Sequence, residues 1–428
     1  MISLAPDADT AIATLLNGVR VVTIRLPHLD SASVSVFVRT GSRHESANLN
    51  GISHFAEHMA FKGTVARSCQ QINYDAERLG ADVNAHPDKD HTAYHLRGRA
   101  SDAIEFVRML GDIVLQGDFP EAELERERQV ILQEYLEDED DPLSTAFKLF
   151  DTACYGHHPL AQPVIGTRRN IERFSRAELL RYVGTQYTGA NIVIGAAGNI
   201  EVDAVVAAAA AAFGQVAAGT THVVATPAYI GGVAARRQSG CSQTHVVIGY
   251  PAPVSTDPAS HAGVVAAALF GEGMSSPLMD EIRERRGLVY YASCSADQGD
   301  LASQFVIEAS TGPEHLDPLF TEVTRLLRRH AETPDPIGLD RARNQIAVRR
   351  LRARERPSRR VEEAALDLFV HGRVRSRAEL DAGVESVDAE AVRGAFARML
   401  ESPVAVAIAG KVPKGIVAQV EERLAVRP

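Results

Sequence analysis

The stretch HFAEHMAFKGT, residues 54–64, contains two histidines four positions apart with a glutamate between them. On an α-helix, positions i and i+4 lie on one face, so His54 and His58 would point at the same spot with Glu57 beside them. Two imidazoles placed in this way can bind one metal ion, and a catalytic zinc ion needs a third protein ligand. A bare HxxxH pattern also fits two ordinary histidines on a half-buried helix, so the metal hypothesis depends on finding that ligand.

The composition is that of a folded, mildly acidic chain. Its 428 residues are 45% hydrophobic and carry a net charge of −10, which allows about two or three domains with substantial cores. No nucleic-acid partner is expected, because phosphate binding needs clustered Lys and Arg. The four cysteines form no CxxC pair, so neither a disulfide framework nor a thiolate metal site is indicated. No membrane span or signal peptide is visible, and we expect a cytoplasmic protein, or a periplasmic one if a leader precedes it.

Local patterns predict the same order of elements in both halves of the chain. The first 40 residues are interpreted as two strands, in LLNGVRVVTIRL and SASVSVFVRTG. The helix with the histidine pair follows Gly51, and a second helix ends at Gly80. Further along, the helix HAGVVAAALF and a helix ending at Gly287 repeat this order. The two helix-ending glycines are 207 positions apart (287 − 80), close to half the chain, which indicates an internal duplication.

The duplication sets the predicted domain boundaries. We predict an N-terminal domain over residues 1–215, a linker over 216–235 that is rich in Gly, Thr and Ala, and a C-terminal domain over 236–428. The second half has HAGVVAAALF where the first half has its histidine pair. Only the N-terminal domain is therefore expected to bind the metal.

The third ligand is sought on the helix predicted after Pro120. Glu127 and Glu134 are seven residues apart, nearly two helical turns, and would share a stripe with Val130 and Ile131. A carboxylate on an apolar stripe needs a partner, because an unpaired buried charge is costly, and a metal ion would supply it. Glu134 also begins the acidic run EYLEDEDD, so a solvent-facing glutamate remains an alternative at this point.

HFAEHMAFKGT and the later RERQVILQE together resemble the pitrilysin-type zinc metallopeptidases of family M16, the inverzincins with the signature HxxEH. The resemblance is closest to the short bacterial and mitochondrial-processing-peptidase-like branch (M16B). It extends over nearly the whole chain, through LNGVRVV, TGSRHE, YGHHPL, YTGANIVIGAAGNI and GMSSPLMDEIRERRGLVYYAS. It implies an α+β fold of the LuxS/MPP-like metallohydrolase type: two homologous α/β-roll domains, each a mostly antiparallel sheet packed with helices, related by internal duplication.

Carried over residue by residue, the resemblance implies that His54, His58 and Glu134 bind one Zn²⁺ per chain and that Glu57 is the general base. Glu127 matches a second acidic position that orients a ligand or assists the water. Zinc lowers the pKa of its bound water from about 15.7 towards 7 and polarises the scissile carbonyl, and Glu57 would pass the proton to the leaving amine. The expected enzyme is a zinc metalloendopeptidase.

The segment GADVNAHPDKDHTAYH resembles the edge strand of the family. Asn84 and Ala85 match positions that pair with the main chain of a peptide substrate, as in β-augmentation. The sequence departs from the family pattern at His86-Pro87, and pairing is expected to stop there because proline cannot donate to a ladder. His86 and His91 are interpreted as strand or loop residues and not as metal ligands.

Arg283 and Tyr290 match an arginine and a tyrosine that contact substrate near the zinc in the family; an exposed Arg and a core Tyr are the alternative. In the long single-chain relatives this pair comes from the last domain, and this chain is only half as long. The resemblance therefore implies a homodimer that encloses peptides or unfolded segments in a closed chamber. Glu272 and Pro277 depart from the family pattern and weaken this expectation. A heterodimer with a homologous subunit, in which this chain is the zinc-bearing or a non-catalytic member, remains the alternative.

Overall fold

The computed structural model describes residues 2–4 and 7–424, and the chain divides into two compact units that are each discontinuous in sequence. The first unit consists of Met1–Tyr135, Gln162–Val224 and Arg352–Arg377, and the second of Leu136–Ala161, Ala225–Leu351 and Ala378–Pro428. Each unit thus includes a segment from the other half of the chain. The boundaries 1–215, 216–235 and 236–428 follow chain order and stay a prediction. Residues 216–231 have no helix or strand.

The two units are each built on one sheet. The first sheet contains seven strands: β1 (Ile2–Leu4), β2 (Thr10–Thr14), β3 (Arg20–Arg25), β4 (Ser31–Val38), β5 (Asp82–Pro87), β6 (Thr92–Arg99) and β7 (Ile192–Gly198). The second contains five: β8 (Gly232–Arg237), β9 (Thr244–Ala252), β10 (Val289–Asp297), β11 (Ser303–Thr311) and β12 (Ala405–Gly410).

Helices pack on both sheets. The described α-helices are α1 (Ile52–Ala60), α2 (Cys69–Arg78), α3 (Ala103–Leu115), α4 (Glu121–Asp140), α5 (Pro142–Tyr155), α6 (Arg168–Arg173), α7 (Arg176–Gln186), α8 (Val202–Phe213), α9 (Ser260–Gly271), α10 (Leu316–Glu332), α11 (Pro336–Arg354), α12 (Pro357–His371), α13 (Arg377–Glu385), α14 (Ala389–Glu401) and α15 (Ile416–Leu424). A π-helix, Leu278–Arg285, lies between α9 and α10. Short 3₁₀ helices occur at Ser42–His44, Ala100–Asp102, Pro159–Ala161, Gly189–Asn191 and Pro313–His315.

The strand orders confirm the predicted duplication. The first sheet has the order β1-β2-β3-β7-β4-β6-β5 and the second β10-β11-β9-β12-β8. Five strands of the first sheet (β3, β7, β4, β6, β5) correspond one to one with β8, β12, β9, β11 and β10, and in each set the pair formed by the first and last strands in chain order is the parallel one. All other pairs are antiparallel. Gly80 and Gly287 end equivalent helices, both with φ near +60° (62° and 61°), the left-handed conformation that glycine adopts most readily.

The core of the first unit lies on both faces of its sheet. Val34 and Val36 of β4 belong to the apolar cluster that includes α3, whereas Phe37 belongs to the cluster that includes α12, which comes from the second half of the chain. The sequence SASVSVFV alternates as a half-exposed strand would, yet every residue of β4 after Ser31 is buried. Helix α12 covers the face of β4 that the alternating pattern predicts to be exposed to solvent.

The second unit is covered in the equivalent way. Helix α5, from the first half, packs Ala146, Phe150 and Cys154 against alanines and valines of β9, β11 and β12. The exchange is therefore reciprocal, because each half contributes one helix to the sheet of the other unit. At an order of 25 cal/mol per Å² of apolar surface removed from water, such a buried face is a major stabilising contribution to each unit.

The prediction of two strands in the first 40 residues was incomplete. The structure has four, because β1 and β2 precede the predicted pair. β2 has the short sequence TAIAT, in which alanine lowers the strand signal. Its pairing with β3 comes from the turn at Asn17-Gly18, where the Leu15 N–H donates to the Val19 carbonyl at 2.8 Å.

Candidate metal centre

Helix α1 places the histidine pair at the edge of the first unit's core. Its buried residues Phe55, Ala56 and Met59 belong to the main apolar cluster, which leaves His54 and His58 on a partly exposed face. The side chains of the two histidines are 12% and 16% exposed. This agrees with the predicted i, i+4 placement, since both rings are on one face and their centroids are 4.7 Å apart.

The start of α1 is fixed by a residue to which sequence reasoning assigned no role. The carboxylate of buried Glu45 accepts hydrogen bonds from the backbone N–H groups of Gly51 and Ser53, both at 2.8 Å. Burial raises the pKa of Glu45, while these donors act in the opposite direction. Glu45 thus satisfies donors that a helix N-terminus leaves unpaired. Its only sequence signal was its place in the TGSRHE segment of the resemblance.

Two glycines allow the chain to pass this helix start closely. Gly51 has φ +97° and Gly166 has φ +86°, and a Cβ added to Gly166 would lie 2.5 Å from the Cα of Gly51. Only glycine fits such a contact at both positions, because an added methyl group would overlap backbone and a positive φ disfavours other residues. The loop that follows α5 is thereby held against α1.

Helix α4 brings both predicted carboxylates to the histidines. Glu134 Oε2 lies 3.5 Å from His54 Nε2 and 3.4 Å from His58 Nε2, and the two Nε2 atoms are 3.2 Å apart. Tetrahedral zinc with bonds of about 2.0–2.1 Å separates its ligand atoms by roughly 3.3 Å. The three atoms therefore already have the spacing of three corners of a zinc site.

Glu127 contacts the opposite side of the His58 ring. Its Oε2 lies 3.1 Å from His58 Nδ1, and its Oε1 lies 2.7 Å from Lys62 Nζ. A carboxylate only accepts hydrogen bonds, so the neutral His58 ring carries its proton on Nδ1 and directs the lone pair of Nε2 towards His54 and Glu134. The residues present thus fit a divalent cation, because lone pairs of three atoms converge where a positive charge would hold them together.

The predicted apolar stripe of α4 needs one correction. Ile131 is fully buried and Glu127 is 7% exposed, as the stripe requires, but Val130 is 44% exposed. Leu124 occupies the buried position instead. Leu124, Glu127, Ile131 and Glu134 have the spacing i, i+3, i+7 and i+10, which places them on one face of the helix. Val130 lies outside this face.

Glu57 lies on the inner side of the histidine pair. It is 9% exposed, and its Oε2 is 4.0 Å from His58 Nε2, so it is close to the three converging atoms without joining them. Burial raises the pKa of Glu57 to about 7; the His58 ring opposes this shift, and the carboxylates of Glu134 and Glu127 add to it. A carboxyl group in this range can both accept and release a proton near neutral pH.

The predicted substrate strand is an edge strand. In the described chain β5 pairs only with β6, with Asn84 opposite His95 and Ala85 opposite Tyr94. The Ala85 N–H donates to the side-chain oxygen of Asn84 at 2.8 Å. The β5–β6 ladder includes Pro87, which lies opposite Thr92. The expected end of substrate pairing at His86-Pro87 stays a prediction.

Arg283 and Tyr290 belong to the second unit. Arg283 is on the π-helix, donates to Met274 Sδ at 3.7 Å and pairs with Glu284 at 3.3 Å. Tyr290 is the second residue of β10 and is 77% exposed. A core tyrosine is therefore excluded. π-helical segments are rare and frequent at functional sites, which is consistent with selection of this segment for a role other than packing.

Comparison with known proteins agrees with the fold and identifies the family. The description "Insulinase (Peptidase family M16)" matches residues 20–168, and "Peptidase M16 inactive domain" matches residues 173–346. The chain is 30% identical over 404 residues (93% of this chain, 97% of the relative) to a protein of Rickettsia bellii. It is 32% identical over 407 residues (93% and 92%) to one of Mycobacterium tuberculosis. Both relatives bear the name "uncharacterized zinc protease".

Solved structures show the same fold at low identity. A protease from Helicobacter pylori superimposes with a TM-score of 0.87 over 95% of this chain and all of its own, at 21% identity. A chain of complex III2 from Candida albicans superimposes with a TM-score of 0.85 over 96% of this chain and 99% of its own, at 17% identity. Fold, converging ligands and relatives together define a metalloprotease, as predicted. The chain belongs to peptidase family M16. Within the described residues, no helix combines the length and apolar character of a membrane span.

Proposed function

We propose that the chain is a zinc-dependent endopeptidase that cuts peptides or unfolded polypeptide segments in extended form. The observation that carries this proposal is the convergence of His54 Nε2, His58 Nε2 and Glu134 Oε2 within 3.2–3.5 Å of one another beside the buried carboxyl group of Glu57. His54, His58 and Glu134 would hold one Zn²⁺ per chain. The names of the relatives support zinc as the metal.

Each residue around the proposed zinc ion has a separate role in peptide hydrolysis. When bound, zinc supplies a Lewis acid that lowers the pKa of water and polarises the scissile carbonyl. Glu57 accepts the proton of the attacking water and delivers it to the leaving amine, for which a pKa of about 7 is well placed. Glu127 holds the His58 ring in the tautomer that leaves Nε2 free, and Lys62 balances the charge of Glu127.

The edge of β5 would hold the substrate. An extended peptide that pairs with Asn84 and Ala85 adds a strand to the sheet, and the Ala85 N–H would exchange its Asn84 partner for a substrate carbonyl. Such pairing recognises the main chain of the substrate through backbone hydrogen bonds and requires that the segment be extended. This supports unfolded polypeptide as the substrate class.

The first test separates metal binding from proton transfer. Glu134→Gln is expected to lose zinc and activity, whereas Glu57→Gln is expected to keep zinc and lose activity, because Glu57 moves protons without coordinating. Glu121→Gln, on the exposed start of the same helix α4, is the matched control and should change neither. Zinc content by metal analysis and cleavage of an unfolded protein are the measurements. Near-normal cleavage by Glu57→Gln would overturn the mechanism.

The second part of the proposal concerns assembly. The protein would form a homodimer with a closed chamber, in which Arg283 and Tyr290 of one subunit contact substrate bound at the zinc of the other. It rests on the family resemblance and on the exposure of both side chains. Mixing a Glu57→Gln chain with an Arg283→Ala/Tyr290→Phe chain should restore activity, because a mixed dimer has one site with both halves intact. No recovery despite demonstrated subunit exchange would mean that the pair acts within its own chain or not at all.

A further inference from the structure

A second group of metal-ligand side chains lies at the far end of β5 in the same unit. His86 is on β5, His91 follows the turn to β6, and Glu362 is on α12 from the second half of the chain. Each offers one ligand atom, and these three atoms lie within 4.8 Å of one another. The rings of His86 and His91 are in edge contact, with centroids 5.8 Å apart. The cluster is distinct from the pair on α1.

His91 is the unusual member of this cluster. It is 4% exposed, and in the described part of the chain neither of its ring nitrogens has a hydrogen-bond partner. Buried polar groups are nearly always paired, because leaving one unpaired costs free energy. A neutral imidazole has one donor and one acceptor, so this ring buries two unused polar atoms. That cost indicates a ligand.

The neighbouring groups prepare His86 for the same ligand. A hydrogen bond joins His95 Nε2 and His86 Nδ1 at 3.1 Å. A second one joins His95 Nδ1 and Ser35 Oγ at 2.8 Å. These hydrogen bonds occupy Nδ1 of His86 and leave its Nε2 available. The two rings are stacked, with centroids 5.0 Å apart, which fixes the plane of His86. Metal-binding histidines are commonly oriented through their other nitrogen in this way.

Carboxylates and arginines both lie around the cluster. Glu362 Oε2 accepts from Arg359 Nη1 at 2.8 Å, which leaves the other carboxylate oxygen for a ligand. Asp88 and Arg43 also face His91, and Arg43 is paired with Asp90 at 2.9 Å. Burial lowers the pKa of His91 and lowers that of His95 to about 3. Neutral imidazole is the form that binds metals.

We propose that His86, His91 and Glu362 form a second metal site for a divalent transition-metal ion of the zinc type, with His95 as a positioning residue. Imidazole nitrogen with carboxylate oxygen is a donor set that zinc accepts. The 4.8 Å limit is wider than the roughly 3.3 Å edge of a tetrahedral zinc site, so the side chains draw together by small rotations on binding. The ion would join the end of the edge strand β5 to helix α12. This inference does not depend on the proposed function and revises the interpretation of His86 and His91 as non-ligands.

The test removes the first site and looks for the second. In a His54→Gln/His58→Gln variant of the full chain, titration with Zn²⁺ alone by calorimetry is expected to show one bound ion per chain. Adding His91→Phe or Glu362→Gln should weaken this binding at least about tenfold, since even groups that only orient a ligand contribute 10–100-fold. His28→Gln, an exposed histidine of the same unit, is the matched control and should change nothing.

Each outcome decides the proposal. His91→Phe alters the core, so its fold is checked by circular dichroism, while the half-buried Glu362 tolerates an amide and keeps the test valid if His91→Phe unfolds. No zinc binding in the double variant overturns the proposal and assigns the unpaired nitrogens of His91 to buried water. Binding that persists unchanged in Glu362→Gln and His91→Phe also overturns it, because the ion would then be held elsewhere.

Discussion

Replacing Glu127 tests how far the proposed metal centre depends on a residue outside its three converging atoms. Its carboxylate is 9% exposed on the side chain and makes two contacts, 3.1 Å to His58 Nδ1 and 2.7 Å to Lys62 Nζ. Removing a group that orients a metal ligand typically costs 10–100-fold in affinity, or about 1.4–2.8 kcal/mol at 1.4 kcal/mol per tenfold. Glu127→Gln keeps an acceptor for His58 and loses only the charge, so about tenfold is expected. Glu127→Leu loses both, and about a hundredfold is expected.

Competition with a chelator of known affinity measures the zinc dissociation constant of each variant, with thermal unfolding as the check on folding. Lys62→Met is the control that separates the two contacts. It leaves the bond to His58 in place and removes a positive charge near the site, so zinc should bind at least as tightly as in the wild type. Wild-type affinity in Glu127→Leu would refute the orienting role. A Lys62→Met variant as weak as Glu127→Leu would mean that the ion pair, and not the His58 contact, supports the site.

Three further predictions concern the scaffold. Gly166→Ala should destabilise the first unit by about 1–3 kcal/mol through its positive φ and its contact with Gly51, whereas Gly184→Ala, in open space on helix α7, should stabilise it by up to about 1 kcal/mol. A lower thermal midpoint for both would contradict this. Phe150→Ala should cost about 3–5 kcal/mol in the second unit by opening a cavity under α5, seen in thermal denaturation. Chelator treatment should remove activity reversibly with unchanged far-UV circular dichroism; loss of helical signal would show that the metal supports the fold.

The part of the site that sequence could predict is the part carried on single helices. His54, Glu57 and His58 are within one turn, so the helical repeat alone places them together. Glu134 needed the family resemblance, because no local pattern tells which distant carboxylate faces the pair. Glu45 could not be recognised either, since its role is to accept hydrogen bonds from a helix start six residues away through a loop.

The exchanged helices mark the limit of prediction for the fold. Nothing in SASVSVFV indicates that α12, more than 300 residues later, covers its second face, because alternation reports only the local repeat. The same contact brings Glu362 to His86 and His91. Sequence reasoning treated these histidines one at a time, and their common environment exists only once a segment of the second half has folded onto the first sheet.

The second half of the chain has the same sheet topology without the candidate ligands. The buried stripe of α4 has the spacing i, i+3, i+7 and i+10, and α11 repeats this spacing. We interpret Ala342 as the counterpart of Glu127 and Arg349 as that of Glu134. The apolar positions Leu339 and Ile346 then correspond to Leu124 and Ile131. Arg349 pairs with Glu272 at 2.5 Å, and α9 is buried along most of its length in place of a histidine helix. The second sheet nevertheless has the same strand order. Apolar packing is therefore sufficient for the topology, and the carboxylates of α4 are not needed for it.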